Sequence, residues 1–297
     1  MSSDVASRVT RKLDVRVKKR LDGKGQFWLI FRYFALTILF VIAALPIYIM
    51  VINSVKGITG VTQSAAFTPP TSLNFEAWGP TWEVLREPMA RTLFFVTQSS
   101  IISAVIGAIN GFVFAKWKFR GSNLIFTTFL FGMFIPYQAI MIPLTKFNQW
   151  AGLGGSIYVL VFAHVIYGIP ICTLIFRNYF AAIPNELIEA ARVDGAGMVR
   201  IFRTIFLPLS IPGFVVVLIW QFTSAWNDFL FAIFLTGGSP KLSVATTALN
   251  FITGSGNQVY YGNNMTASLI VSIPTLLVYL FLGRYFLRGM LAGSLKG

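Results

Sequence analysis

Ile183-Pro-Asn-Glu-Leu-Ile-Glu-Ala-Ala-Arg-Val-Asp-Gly-Ala-Gly-Met-Val-Arg-Ile-Phe-Arg-Thr-Ile-Phe-Leu-Pro208 is a charged, glycine-punctuated stretch in an otherwise apolar chain. Pro184 suits the first position of a helix, where its missing N–H is not needed, and Glu186 follows where the positive helix end favours an acid. Leu187, Ile188 and Ala191 fall on one helical face with Glu186 and Arg192 off it, so a short amphipathic helix is expected. Gly195 and Gly197 then admit a sharp change of direction. A second short helix is expected over 198–206, and Pro208 and Pro212 bend or start whatever follows. An amphipathic helix with small Ala190 and Ala191 fits a partner's groove, and it equally fits a lipid headgroup surface. Its own residues leave that choice open, so its neighbours must decide.

On either side lie apolar runs long enough to cross about 30 Å of hydrocarbon, which takes roughly 20 residues at about 1.5 Å each. Six such runs are expected, at about 27–52, 92–115, 123–143, 157–177, 206–234 and 267–287. The links between them carry Pro, Gly and polar punctuation, and the 235–266 link is rich in Gly, Asn and Ser. The composition agrees: 56% of the residues are hydrophobic and 11% charged, where soluble domains average about 25% charged. A water-soluble globule is therefore excluded. The fold class is an all-α polytopic membrane protein, with a basic segment at 1–26 and a six-span domain at 27–297.

The net charge of +14 raises a nucleic-acid reading that the distribution of charge removes. With the N-terminus inside, nineteen of the 24 Lys and Arg fall on the cytoplasmic side: nine within residues 1–32, the rest at 116–120, 177–203 and 284–296. Lys56, Arg86, Arg91, Lys146 and Lys241 make up the other side. This asymmetry is the positive-inside pattern and predicts that both termini are cytoplasmic. The first run has a basic leader but is too long for a signal peptide and lacks a clear cleavage site, so it reads as a span.

The chemistry available is narrow. One cysteine, Cys172, and one histidine, His164, cannot build a disulfide or a Cys/His metal site, so no metal site is expected. No phosphate-binding G-x-x-x-x-G-K-[ST] loop and no nucleophile–base arrangement appears, so the chain does not read as an enzyme. Asp228 is the one acid within a run, roughly 33 Å from its inner start at about 1.5 Å per residue, which places it near the outer interface. His164 reads more readily as a satisfied core histidine than as a proton relay. Uphill transport by such a chain needs energy from a partner.

Glu189-Ala190-Ala191, three residues, Gly195, nine residues, Ile205, one residue and Leu207-Pro208 resemble the EAA loop of ABC-importer permeases at every position. Trp226-Asn227-Asp228-Phe229-Leu230, the 115–121 link and the ending 288–297 are similar to the carbohydrate branch, in particular the smaller maltose-type permease. The resemblance implies a type I importer fold with a cytoplasmic coupling helix in loop 183–208, seated in a cleft of an ATPase subunit. It assigns coupling to Glu189, Ala190, Ala191, Arg192, Asp194, Gly195, Ile205, Leu207 and Pro208, with Arg192 and Asp194 free to pair within the loop. It implies that the tail, including Gly293, Lys296 and Gly297, also reaches the ATPases. The partners implied are a second homologous permease, two ATPase subunits, an extracytoplasmic sugar-binding protein and membrane lipid, with no nucleic acid. The chain would bind no cofactor, the ATPases using ATP and Mg, and would sit in a bacterial or archaeal inner membrane.

Aromatic and amide side chains suit sugars, which makes Tyr137, Gln138, Trp220, Gln221, Asn227 and Asp228 candidates for a translocation path. The competing reading is an interfacial aromatic belt with helix-packing polar groups, and it is preferred most strongly for Trp226. The outer 237–264 loop, with Gly254, Gly256, Gly262 and Tyr260/Tyr261, resembles in position the loop that probes the binding protein. A mono- or disaccharide of glucose/mannose type is the favoured substrate. The alternatives are an importer permease for another solute and a stand-alone six-span transporter.

Overall fold

The computed structural model describes residues 23–63, 66–117, 119–254 and 261–294. Its helices are α1 (Gly23–Ser54), α2 (Trp78–Lys116), α3 (Ser122–Phe131), α4 (Tyr137–Trp150), α5 (Tyr158–Ala181) and α6 (Glu186–Val193). They continue with α7 (Met198–Leu209), in which Phe202–Phe206 form a π turn, then α8 (Ile211–Trp226), α9 (Leu230–Leu235), α10 (Ala245–Gly254) and α11 (Tyr261–Ser294). Among the described residues, α1, α2, α5 and α11 are long and apolar enough to cross a membrane unaided. The pair α3–α4 bends by 93° and the pair α7–α8 by 74°, so six spans result when each bent pair counts as one.

Three expected runs are corrected. The third, expected over 123–143, is divided by the bend between α3 and α4 and continues to Trp150. The second span begins fourteen residues earlier than expected, because α2 runs as one helix of 39 residues from Trp78 through the polar stretch around Glu83–Arg86. The fifth run, expected as one span over 206–234, is divided. It bends at Ser210, between Pro208 and Pro212, and breaks again at 227–229 before α9. Pro208 and Pro212 lack the N–H groups that a continuous helix would bond, so the chain turns there. The 235–266 link also contains a helix, α10, whose base at Val244, Ala245 and Ala248 is buried. Most of the basic N-terminal segment lies outside the described residues.

The body is organised by a seam of small residues. Ser99, Ser103, Gly107 and Gly111 repeat every four positions on α2, with Ser100, Ala104 and Ala108 beside them, and all are buried. They let α2 and α5 approach backbone to backbone, the usual way apolar helices pack in lipid. A Cβ on Gly111 would stand 2.6 Å from Phe176 Cβ, and one on Gly107 would collide with Cys172. On either side of this seam lie two buried clusters. One, at the end bearing α6, collects Phe112, Phe176, Phe180, Ile188, Ile201 and Phe206. The other, at the far end, collects Phe95, Leu160, Trp226, Phe231, Val244 and Ile270. Helix α1 is almost wholly exposed and is tied at one end, where Trp78 Nε1 and Thr266 Oγ1 both donate to the Ser54 carbonyl.

Candidate coupling loop and translocation face

Helix α6 begins at Glu186 with Asn185 as its N-cap, so Pro184 lies just outside the helix rather than at its first position. The Asn185 carbonyl accepts from the N–H groups of Ile188 and Glu189. At its other end the helix closes in a Schellman motif: Ala196 N–H donates to Ala191 O at 2.9 Å and Gly195 N–H to Arg192 O at 3.0 Å. That closure needs a left-handed residue at Gly195, whose φ is +76°. Gly197 is different, extended at φ −73° and ψ 163°, and its conformation is open to any residue.

The amphipathic face is narrower than expected. Ile188 is buried and Ala191 half-buried against the phenylalanine cluster, but Leu187 lies on the outer face, with 41% of its surface exposed. Glu186, Glu189, Ala190, Arg192, Asp194 and Gly195 are exposed too, as are Val193 and Val199. Ala191 thus packs against the chain's own core, leaving Ala190 as the small residue that faces outward. Arg192 does not pair with Asp194; its guanidinium reaches Met198 Sδ at 3.6 Å. Downstream, Ile205 is half-buried and Leu207 and Pro208 are exposed, while Tyr179 Oη donates to the Leu209 carbonyl at 2.8 Å and fastens the loop's exit to α5. In the tail, Gly293 lies in the last turn of α11, and Lys296 and Gly297 fall outside the described residues.

Residue Lys116, which the sequence offers as a basic charge in the 115–121 link and not as a site residue, holds the loop's entrance. Its ammonium donates to the Ile183 carbonyl at 2.6 Å and to Asn185 Oδ1 at 2.7 Å, and lies 5.9 Å from the centre of the Phe206 ring.

At the far end, the path candidates separate into two groups. Tyr137 and Asp228 are joined in one cluster: the Tyr137 ring lies 5.1 Å from Phe231, Phe231 packs edge-on to His164 at 5.6 Å, and His164 Nε2 is 3.6 Å from Asp228 Oδ2. His164 is buried with its ring stacked on Phe95 at 5.5 Å, but its Nε2 has no hydrogen-bond partner, so it is a core histidine without the satisfied ring expected of it. Asp228 also accepts from the backbone N–H groups of Phe231 and Ala232, so it caps the helix that restarts after the break.

The other candidates are placed apart. Trp220 and Asn227, seven residues apart, share the exposed face of α8, and Asn227 Nδ2 donates only to Thr223 O of its own helix. Gln221 is buried on the opposite face; its amide donates to the His164 carbonyl at 2.9 Å and fills the space over Gly168, so it packs helices rather than lining a path. Gln138 is exposed. Trp226 corrects the belt expectation: it is buried, stacked on Phe222 at 5.5 Å, with Nε1 donating to the Val271 carbonyl. None of the six candidates lines the cleft of about 730 Å³ beside α5, whose walls include Leu124, Phe129, Met133, Ile140, Ile166 and Tyr167. Of the outer loop, Gly256 and Tyr260 lie outside the described residues, and Gly262 sits at the close approach of α11 to the Gly57 carbonyl.

Comparison with known proteins places this architecture. The chain is 34% identical to the glucose import system permease protein GlcU of Saccharolobus solfataricus, over 89% of this chain and 95% of that one. It is 31% identical to the xylose/arabinose import permease protein XacI of Haloferax volcanii, over 82% of this chain and 86% of that one. Its fold matches a crystal structure of a bacterial ABC transporter involved in the import of the acidic polysaccharide alginate, with a TM-score of 0.76, 23% identity and coverage of 89% of this chain and 98% of that chain. Residues 103–291 match the family described as binding-protein-dependent transport system inner membrane component, and the chain belongs to that family.

Proposed function

We propose that the chain is the permease subunit of an ATP-driven importer of a mono- or disaccharide, of glucose/mannose type, and that α6 is its coupling helix. The observation that carries this reading is the two-sidedness of α6. Its inner face, Ile188 and Ala191, is fixed in the aromatic cluster, while Leu187, Glu189, Ala190 and Val193 are left exposed as a small docking surface. A helix resting on anionic lipid headgroups would instead present basic residues, whereas α6 presents Glu186 and Glu189 in its first turn. The names of GlcU and XacI support a small sugar as the cargo.

In this reading both termini and α6 face the cytoplasm, as the distribution of basic residues suggests. Two ATPase subunits hydrolyse ATP with Mg and close against α6, a second permease completes the path, and an extracytoplasmic binding protein delivers the sugar. The exposed Glu189 offers an acceptor to a basic group of the ATPase. The test is reconstitution in proteoliposomes with all of these subunits. Uptake of labelled glucose is expected to require ATP and the binding protein, and Glu189→Lys is expected to abolish uptake while the complex still assembles. Uptake by this chain alone, or preferential uptake of an amino acid, would overturn the assignment.

A further inference from the structure

We propose that Lys116 is the positioning residue that ties the coupling helix to the longest span, so that movement at the ATPase face is carried into α2. The proposal rests on α6 being the coupling helix. Helix α2 ends at Lys116 after 39 residues, and at about 1.5 Å per residue it is longer than the roughly 30 Å of hydrocarbon it has to cross. Its last side chain reaches across to both sides of the loop. Two short bonds go to Ile183 and Asn185, which lead into α6, and the same ammonium sits against Phe206, where the loop returns toward α8.

Asn185 makes the tie unusual. It occupies the N-cap of α6, where an amide side chain ordinarily accepts from the first N–H groups of its own helix, yet it makes no such bond and accepts from Lys116 instead. The helix start has exchanged a local cap for a link to a span. Among the described residues, no other charged side chain hydrogen-bonds α6 or α7 to a span. The remaining attachments of α6 are apolar, through Ile188 and Ala191. Apolar contacts are non-directional and permit sliding, whereas charge-assisted bonds to a fixed carbonyl and amide hold a direction. Lys116 therefore supplies what the aromatic cluster lacks, a contact that pulls as well as pushes.

The experiment measures sugar moved per ATP hydrolysed in the complete proteoliposome system, with co-purification of the ATPase as the control for assembly. Lys116→Met is expected to lower that ratio about 5-fold, within the range over which residues between coupled sites modulate coupling. Lys116→Arg, which keeps donors for both acceptors, is expected to restore most of it. Asn185→Ala removes one acceptor without touching the span, is expected to give a smaller loss in the same direction, and serves if Lys116→Met fails to insert. A merely structural Lys116 would lower hydrolysis, transport and yield together and leave the ratio unchanged, which overturns the proposal. Glu189→Lys separates the two readings: if it uncouples while Lys116→Met and Asn185→Ala do not, the tie is wrong and the coupling helix stands. If Glu189→Lys leaves the ratio intact, the coupling-helix reading falls and the tie with it.

Discussion

The two ends of the molecule interrupt their helices in different ways. At the α6 end the chain reverses within a few residues, and its polar groups are met within the loop by the Schellman closure at Gly195, with one side chain from outside it, Lys116. At the far end the breaks after α8 and before α10 are closed by side chains drawn from several elements. Asp228 caps α9 and faces His164, Thr246 Oγ1 donates to the Asp228 carbonyl, and Thr92 Oγ1 accepts from Ala245 N–H at 2.7 Å, 153 residues away. A local closure can move as a unit, whereas a closure woven from three elements holds them together. The difference suits the proposed roles, a coupling loop that transmits motion and an end that stays assembled.

The largest effect is expected from cutting the woven end at its centre. Asp228→Ala leaves two backbone N–H groups at the start of α9 without their acceptor and removes the carboxylate that faces the buried His164, a loss of about 2 kcal/mol. A clear drop in the melting temperature of the purified protein should follow, with Asp228→Asn recovering part of it. An unchanged melting curve would mean that the far end does not depend on this cap. Next comes Thr92→Val, which strands the buried Ala245 N–H and should destabilise by roughly 1–2 kcal/mol, while Thr92→Ser should behave like the original.

These two positions also mark where sequence reasoning stops. The spans, the bend at Pro208 and Pro212 and the left-handed turn at Gly195 are properties of neighbouring residues, and each is legible in the chain. Asp228 reads as a lone acid near an interface because its partner His164 lies on another helix, and nothing local announces that the span breaks just there. Trp226 reads as a belt residue because its burial depends on Val271 and on the packing of α11. Gln221 looks like a sugar ligand for the same reason: only the approach of Gly168 reveals what its amide does. Lys116 is hidden differently, since among 24 basic residues its sign is already accounted for by orientation. The four-residue repeat of Ser99, Ser103, Gly107 and Gly111 is the one long-range feature with a plain local signal, a stripe of small residues in an apolar run.

At the α6 end, Gly195→Ala should cost about 1 kcal/mol, because a side chain at φ +76° is strained even though nothing stands within 4 Å of a Cβ there. The loss is local, so it should appear as roughly fivefold faster hydrogen exchange of the α6 amides, with the melting temperature of the whole protein nearly unchanged. If the melting temperature fell as far as for Asp228→Ala, the two ends would not differ in kind.

The smallest effect, and the sharpest control, is at Gly197. It is two residues from Gly195 and equally free of neighbours, but its backbone is extended, a conformation that alanine adopts without strain. Replacing a glycine at such a position restricts the unfolded chain and gains about 0.4–1 kcal/mol where it changes anything. Gly197→Ala should therefore leave α6 exchange unchanged or slow it slightly, opposite in sign to Gly195→Ala. Since both substitutions add the same methyl group to open space in the same loop, the difference between them isolates the handedness of one residue. Equal acceleration in the two variants would mean that the loop responds to lost glycine flexibility, and the Schellman closure would no longer explain why α6 keeps its shape when the far end is cut.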